Sequence, residues 1–212
     1  ITGNLGTENI KKIKYLNKNE IKKKFNIQFL KKNILITYHP VTNEPKKEIK
    51  KFKNLIDALK TLKDTGIIFT YPNNDTGGQI IIDMIKKFCK NRENVFLFKS
   101  LGYDNYISVL NYVDAVVGNS SSGLLEAPSM KIPTINIGDR QLGRIKASSI
   151  IDCSLSKNEI LLAIRKIYTK KFQNSLKHVK NPYYKSNSSD IIIKKIKVIK
   201  KPNTTKKDFY LK

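Results

Sequence analysis

Cysteine is scarce in this sequence of 212 residues, and its scarcity excludes several classes of protein. Cys89 and Cys153 are the two cysteines; they are far apart, and no histidine lies near either. Disulfide-rich domains and structural zinc sites need more thiols, or thiols at closer spacing. We therefore expect two free, reduced cysteines with no redox role, and no metal site.

Long apolar runs are also missing. Runs such as residues 80–82 fall far short of the roughly 18 residues that a membrane-spanning helix needs. The first residues do not combine the positive charge, apolar stretch and cleavage site of a secretory signal peptide. The sequence therefore predicts a cytoplasmic protein with no membrane partner.

Arginine is rare, although the chain is strongly basic. The formal charge is +24, yet four of the 41 basic residues are arginines. A basic surface favours nucleic acid because it releases counterions, but arginine is the residue preferred for contacts to guanine and phosphate. The 37 lysines (41 − 4) accompany 30 isoleucines and 21 asparagines, a bias that an AT-rich genome imposes on any protein. We expect no nucleic-acid partner and keep a basic nucleic-acid-binding module as a distant alternative.

The sequence does contain a regular alternation of short apolar runs and segments with helical periodicity. Such alternation is typical of an α/β protein with a parallel sheet. Strands are predicted at residues 33–38, 66–71, 95–98, 114–117 and 133–137, with a short sixth at 150–151. Helices are predicted at residues 19–25, 44–63, 79–90, 104–112, 158–168 and 188–200, and one more begins within residues 118–129.

Residues 118–129, the serine loop, lie between the fourth predicted strand and that last helix. The backbone N–H groups at the start of a helix have no internal partners, and the helix dipole adds positive charge there. Small residues let a ligand approach the main chain, and Ser120 and Ser121 add hydroxyl donors. The serine loop therefore predicts a phosphate site; the alternative is that Asn119 and the serines simply cap the helix.

Polar residues also follow other predicted strands, at the sheet edge where open α/β folds bind ligands. His39 precedes Pro40, which keeps it out of a helix, and its imidazole can donate to a phosphate oxygen or a sugar hydroxyl. Asn73 follows the second strand. Arg140 and Arg144 follow the fifth, and two of four arginines within five residues indicate anion binding. The alternatives are an ordinary loop histidine and a turn asparagine.

Four blocks of sequence together carry a resemblance to a known family. They are residues 37–42 (TYHPVT), 71–75 (YPNND), 137–144 (IGDRQLGR) and the serine loop (GNSSSGLLEAPS). In order and spacing they resemble the hydrolysing UDP-N-acetylglucosamine 2-epimerases of sialic-acid and related nonulosonic-acid synthesis. The resemblance runs from about residue 1 to about residue 200 and covers the C-terminal half of that family's chain. Residues 1–6 are expected to be a strand and linker that leave an N-terminal domain.

The resemblance implies two Rossmann-like domains with the active site in the cleft between them, the glycosyltransferase-B (GT-B) architecture. This chain would then divide into linker and helices at 1–32, a nucleotide-binding Rossmann-like domain at 33–185, a C-terminal crossover helix at 186–200 and a disordered basic tail at 201–212. Relatives form homodimers, so we expect a homodimer for the full-length protein.

The resemblance also implies roles for residues near the serine loop. His39 would act in catalysis, and Ser120 and Ser121 would hold the diphosphate or the neighbouring ribose. Glu126 would accept the ribose hydroxyls, and Tyr106 would flank the uracil. From the sequence alone, Glu126 is otherwise a solvated glutamate near a helix start, and Tyr106 a core aromatic.

The implied mechanism is anti elimination of UDP to give a glycal, followed by addition of water to give the 2-epimeric free sugar. Arg140 would neutralise the leaving diphosphate, with Arg144 as a second candidate, and Asn73 would contact the nucleotide sugar. The acid–base carboxylates lie in the family's N-terminal domain, so this chain alone is expected to be inactive. No cofactor and no metal is required.

Alternatives stay open within the resemblance. Non-hydrolysing 2-epimerases carry an Arg-Arg-Glu-Asn type run after the histidine, where this chain has Pro40, Val41 and Thr42. That difference favours the hydrolysing branch over a non-hydrolysing 2-epimerase or a glycosyltransferase of the same architecture. UDP-N-acetylglucosamine and UDP-2,4-diacetamido-trideoxyglucose are both candidate substrates.

Overall fold

The computed structural model describes residues 1–41 and 45–199 and is built around six strands. These are β1 (Lys32–Thr37), β2 (Thr65–Thr70), β3 (Val95–Phe98), β4 (Ala115–Gly118), β5 (Thr134–Ile137) and β6 (Ile150–Cys153). They form one sheet in the order β3-β2-β1-β4-β5-β6, and every neighbouring pair is parallel. The predicted α/β class with a parallel sheet is confirmed, and the short sixth strand is present.

Helices connect the strands and follow the last of them. They are α1 (Leu5–Asn9), α2 (Lys18–Phe25), α3 (Pro45–Leu59), α4 (Gly78–Cys89), α5 (Tyr103–Leu110), α6 (Ser122–Leu125), α7 (Lys157–Ile167), α8 (Lys170–Leu176) and α9 (Ser188–Val198). Short 3-10 segments follow α1 at Ile10–Lys12 and α6 at Ala127–Met130. Among the described residues, no helix has the length and apolar character needed to cross a membrane.

Alternate residues of the central strands contribute to two hydrophobic cores, one on each face of the sheet. Ile34 and Ile36 of β1 belong to the core that contains residues of α3, α4, α7 and α8. Leu35 belongs to the opposite core, to which α2 and α5 contribute. Burial on both faces explains why the strands read as continuous apolar runs. Helices therefore cover both faces of the sheet.

The strand order reverses between β1 and β4. β2 and β3 are added in turn on one side of β1, and β4, β5 and β6 are added on its other side. The ends of these two strands meet where Thr37 pairs with Gly118. Gly118 has a φ of 132°, and a Cβ there would lie 2.1 Å from the Thr37 carbonyl oxygen. Glycine is therefore required at the reversal, which is where open α/β sheets leave a crevice for ligands.

Residues 1–6 do not form the expected strand. α1 begins directly after Asn4, whose side chain accepts a hydrogen bond from the Thr7 N–H at 3.1 Å. The helix is fastened to α9, because the Ser189 N–H donates to a carboxylate oxygen of Glu8 at 3.0 Å. An asparagine cap followed by a helical turn therefore decides the conformation of this segment.

Two other helices differ from prediction. α3 ends at Leu59 rather than at residue 63, because the Leu62 N–H bonds back to the Leu59 carbonyl and Asp64 adopts a φ of 50°. Its predicted start, Glu44, lies outside the described residues, as does Thr42. α8 was not predicted; the Thr169 hydroxyl caps its first turn.

α9 presents apolar side chains to solvent. Ile196 and Val198 are 64% and 74% exposed, and Ser188 is the helix's one buried residue among those described. Residues 201–212, predicted to be a disordered basic tail, lie outside the described part of the chain. The crossing of this helix to another domain stays a prediction, as do the proposed domain boundaries.

Candidate functional site

Loops after β1, β2, β3 and β4 converge at the carboxyl edge of the sheet and enclose a cavity of about 350 Å³, called here the first cavity. The structure brings five of the predicted site residues together in its lining: His39, Tyr106, Ser120, Ser121 and Glu126. The remaining lining residues are Thr37, Thr70, Tyr71, Lys99, Ser100, Leu101, Gly102, Tyr103 and Ser122.

Residues 99–103, which follow β3, also line the first cavity, and they were not predicted as site residues. Lys99 brings a positive charge to the first cavity, and the Tyr103 hydroxyl donates to the Gly6 carbonyl at 2.6 Å. Burial, followed by the charge of Glu126, raises the pKa of Tyr103 to about 12, so it stays protonated and a donor. The rule that ligands bind beyond the carboxyl ends of strands applies to β3 as to the others, and it would have found these residues.

A second cavity, of about 370 Å³, adjoins the first along the loops after β5 and β6. It shares no lining residue with the first cavity; its lining consists of Tyr38, Val41, Lys51, Asn119, Ile137, Gly138, Asp139, Arg140, Cys153, Ser154 and Leu155. The predicted site residues are therefore divided, with Arg140 in the second cavity and the serines in the first.

Arg140 and Arg144 differ sharply in position. Arg140 Nη1 donates to the carbonyl of Asn119 at 3.1 Å, so its positive charge lies next to the serine loop. Arg144 is exposed and lines neither cavity, and its neighbours Leu142 and Ile145 are also exposed. The structure places one arginine beside the site and the other at its outer margin.

His39 is held in a defined tautomer. Its Nδ1 accepts a hydrogen bond from the Asn73 N–H at 3.0 Å, so the proton of the neutral ring is on Nε2. Burial lowers the pKa of His39, and the charge of Arg140 lowers it further; the opposing effects of Asn73 and Asp75 are smaller. His39 is therefore neutral at pH 7 and offers one N–H donor. Asn73 lines neither cavity but is bound directly to this ring.

Asn119 does not cap the helix, contrary to the alternative considered for the serine loop. Its side chain, 1% exposed, bridges both backbone groups of His39: Oδ1 accepts the His39 N–H at 2.7 Å, and Nδ2 donates to the His39 carbonyl at 2.8 Å. Its own carbonyl accepts hydrogen bonds from Arg140 and, at 2.7 Å, from Gln141 Nε2. Neither Asn119 nor Gln141 was predicted as a site residue.

The serine loop opens a short helix. α6 has four residues and is followed by the 3-10 segment, so the macrodipole contributes little. Local donors are present instead: among the described residues, the N–H groups of Ser120 and Ser121 make no hydrogen bond. The donors that this loop offers are therefore free amides and hydroxyls rather than a helix dipole.

Three side chains leave buried polar atoms in the first cavity without a partner among the described residues. These atoms are Tyr106 Oη, Ser122 Oγ and Glu126 Oε2. Burial raises the pKa of Tyr106 to about 12 and also raises the pKa of Glu126. The Ser122 hydroxyl lies close enough to both groups to offset these effects in part, although none of the three atoms makes a hydrogen bond of normal length and angle to a described residue. Glu126 is half-buried within the cavity rather than solvated on a helix surface.

The described residues include no group of three or more histidine, cysteine or acidic side chains that could hold a metal ion. Cys89 and Cys153 are free thiols. Burial raises their pKa values to about 11 and about 12, so neither is an activated nucleophile.

A match with one protein family extends over almost the whole chain. The model of the family described as UDP-N-acetylglucosamine 2-epimerase matches residues 1–197. The chain belongs to this family. Polysialic acid biosynthesis protein P7 of Escherichia coli is 37% identical over 210 residues, which cover 98% of this chain and 53% of that protein.

Another relative of this 2-epimerase-family chain is the GDP/UDP-N,N'-diacetylbacillosamine 2-epimerase (hydrolyzing) of Campylobacter jejuni. It is 40% identical over 174 residues, which cover 82% of this chain and 45% of that protein. The resemblance to this family, inferred from four sequence blocks, is thus confirmed, and the relatives include a hydrolysing member. The chain spans about half the length of the curated relatives it matches.

Two solved structures share the fold of this chain. The S. aureus MnaA–UDP co-structure superposes with a TM-score of 0.70 at 19% identity, covering 93% of this chain and 52% of that one. Methanocaldococcus jannaschii UDP-GlcNAc 2-epimerase in complex with UDP-GlcNAc and UDP gives a TM-score of 0.67 at 17% identity, covering 93% and 54%. The predicted membership in the GT-B-like architecture is confirmed.

Proposed function

We propose that this chain supplies the UDP-binding half of a hydrolysing UDP-sugar 2-epimerase, which yields UDP and a 2-epimeric free sugar such as N-acetylmannosamine. One observation carries the proposal: the three unpaired buried atoms of Tyr106, Ser122 and Glu126 lie in the same cavity as the unpaired N–H groups of Ser120 and Ser121. Each unpaired buried polar group costs about 1–3 kcal/mol, so such a cluster indicates a polar ligand.

The unpaired groups match the two ends of a nucleoside diphosphate. The Glu126 carboxylate is an acceptor for two ribose hydroxyls, and Tyr106 beside it offers a ring face and a hydroxyl to the uracil. Ser120 and Ser121 offer amide and hydroxyl donors to the phosphates, and Lys99 adds positive charge. The nucleotide would therefore extend from Tyr106 towards His39.

His39 and Arg140 would stabilise the departing diphosphate in two different ways. His39 is neutral with its proton on Nε2, so it can donate to a diphosphate oxygen as the bond to the sugar breaks. Arg140, which bonds to the Asn119 carbonyl, contributes a permanent positive charge beside the site. Arg144 and Asn73 complete the proposed set, Arg144 from the outer margin and Asn73 through its bond to His39.

The chemistry proposed for the whole enzyme is anti elimination of UDP to give a glycal, followed by addition of water. This half binds and stabilises the departing UDP, and the carboxylates that move the proton from sugar carbon 2 belong to the other half. Asp75 and Asp139 are given no such role. The isolated chain is therefore proposed to bind UDP without turning over substrate.

The substrate and setting are proposed on the strength of the relatives. One relative is named for polysialic acid biosynthesis and another for a diacetylbacillosamine substrate, which favours a place in nonulosonic-acid synthesis. UDP-N-acetylglucosamine is proposed as the substrate, with UDP-2,4-diacetamido-trideoxyglucose as the alternative. We further propose a cytoplasmic homodimer for the full-length protein.

The proposal is tested by titrating UDP into this chain and into Glu126→Gln in a calorimeter. Glu126→Gln keeps the size of the side chain but removes the charge that two hydroxyls would share, and hydrogen bonds to charged groups contribute about 1.5–3 kcal/mol. We expect measurable binding of UDP to the wild type and an affinity lower by roughly tenfold to a hundredfold in the variant.

Glu93→Gln is the matched control, because Glu93 is exposed and lines neither cavity. Its affinity for UDP should equal that of the wild type. Absence of heat from UDP at millimolar concentration, or equal affinities for Glu126→Gln and Glu93→Gln, would reject the proposal.

A further inference from the structure

The carboxamide of Asn119 extends the contact between β1 and β4 beyond the ends of the strands. The ladder between the strands ends at Thr37 and Gly118, and the Asn119 N–H still bonds to the Thr37 carbonyl at 3.2 Å. The Asn119 side chain then bonds to both the N–H and the carbonyl of His39. One side chain thus replaces the next backbone pair of the ladder.

We propose that Asn119 is the positioning residue for His39, fixing its backbone so that Nδ1 receives the Asn73 N–H and Nε2 keeps the proton. The proposal deepens the proposed function, on which the role of His39 as a donor to the leaving group rests. Asparagine suits the task because one short side chain must supply a donor and an acceptor at once. Aspartate lacks the donor, and alanine lacks both.

The position of Asn119 is itself fixed from the other side. Its carbonyl accepts hydrogen bonds from Arg140 and Gln141, which follow β5, so three loops meet at this residue. Gly118 allows the close approach that sets the direction of the main chain here. Because Asn119 is fully buried and bonded at its carbonyl and both carboxamide atoms, it has little freedom to release His39.

The charges that face His39 come from several elements, and none of them belongs to the Asn119 side chain. Arg140 lowers the pKa of His39, and Asp75 raises it. Further charged groups line the two cavities: Lys99, Glu126, Lys51 and Asp139. A change in the state of His39 upon loss of the neutral Asn119 side chain therefore reports position rather than charge.

The test is a nitrogen-15 spectrum of histidine-labelled chain, recorded over a range of pH without nucleotide. The chain has two histidines, so His178→Gln identifies the His39 signals. We expect wild-type His39 to be the Nε2–H tautomer. Asn119→Ala should give a mixture of tautomers, and the His39 midpoint should rise towards the ordinary value of about 6.5. Asn119→Asp should raise the midpoint by about one pH unit through its added charge.

Asn174→Ala is the matched control, because Asn174 is an exposed asparagine of α8; its His39 spectrum should match the wild type. A wild-type His39 spectrum in folded Asn119→Ala would overturn the proposal. If that variant does not melt cooperatively, Gln141→Met takes its place and should shift His39 in the same direction by less; an unchanged spectrum there would also overturn it. Because no nucleotide is present, failure here is distinct from failure of UDP binding to depend on Glu126.

Discussion

Two neighbouring parts of the sheet edge differ in how their polar groups are paired. At Asn119, both carboxamide atoms and the carbonyl are bonded to other residues. In the first cavity, Tyr106, Ser122 and Glu126 each have a buried polar atom with no partner in the described part of the chain. Because unpaired buried groups cost free energy, the first arrangement favours rigidity, and the second favours a ligand. The contrast holds for Asn119 and the first cavity, although Asn73 Oδ1 and Gln141 Oε1 beside His39 and Asn119 are also without a partner among the described residues.

Among the substitutions considered, one at Gly118, next to Asn119, should cost the most stability. In Gly118→Ala, the new Cβ would meet the Thr37 carbonyl oxygen at 2.1 Å with the backbone at a φ of 132°, so β4 must move away from β1. We expect a loss of about 3–5 kcal/mol in the free energy of unfolding, measured in urea.

Gly143→Ala is the control for that substitution. Gly143 also has a positive φ, 78°, but nothing lies within 4 Å of a Cβ placed there. We expect a loss of about 1–2 kcal/mol from backbone strain alone. Equal losses in the two variants would show that the contact between Gly118 and Thr37 is unimportant.

Two substitutions with smaller effects each remove one buried hydroxyl, and only one of these hydroxyls is hydrogen-bonded. Tyr106→Phe removes a buried hydroxyl that has no partner among the described residues, whereas Thr134→Val removes a buried one that donates to the Gly123 carbonyl at 2.7 Å. Thr134→Val should lower the free energy of unfolding by about 1–2 kcal/mol, and Tyr106→Phe should raise it by about 1 kcal/mol.

The free energy of unfolding of both variants is measured in urea without nucleotide. The sign of the difference is the test, since both substitutions remove one oxygen and keep the shape of the side chain. If Tyr106→Phe lost as much stability as Thr134→Val, the Tyr106 hydroxyl would have a partner. The proposed contrast between buried polar groups with and without a hydrogen bond would then be wrong.

The sequence was sufficient to predict the sheet, because each buried strand is an apolar run and each amphipathic helix repeats its stripe. It also predicted that His39 and the serines lie near one another, since all follow strands of one parallel sheet. It did not predict α1, where the local cap at Asn4 decided between helix and strand.

The part of the site that could not be predicted depends on contacts between distant loops. Asn119 looks like a helix cap in the sequence, and its bonds to His39 and Arg140 span 80 and 21 residues. The division of the site into two cavities likewise follows from packing: Arg140 bonds to Asn119, yet Arg140 and Ser120, the residue after Asn119, line different cavities. Residue type and spacing carry no information on such side-chain directions.

The smallest expected effect concerns the charge of Glu126 in the unliganded protein. Burial raises the pKa of Glu126 above its ordinary value of 4.5, so the folded chain holds this proton more tightly than the unfolded chain. Ionised Glu126 therefore lowers stability at neutral pH, and this loss is recovered as the pH falls from the raised pKa towards 4.5. In Glu126→Gln the loss is absent at every pH.

The measurement is the free energy of unfolding of the wild type and of Glu126→Gln between pH 7.5 and about pH 4.5. The variant should be the more stable at neutral pH, and its advantage should shrink as the pH falls. Charging of His39 below its lowered pKa destabilises both proteins alike and cancels in the difference. A difference between wild type and Glu126→Gln that is constant with pH would mean that Glu126 pairs its charge already, and that the first cavity is as fully bonded as the surroundings of Asn119.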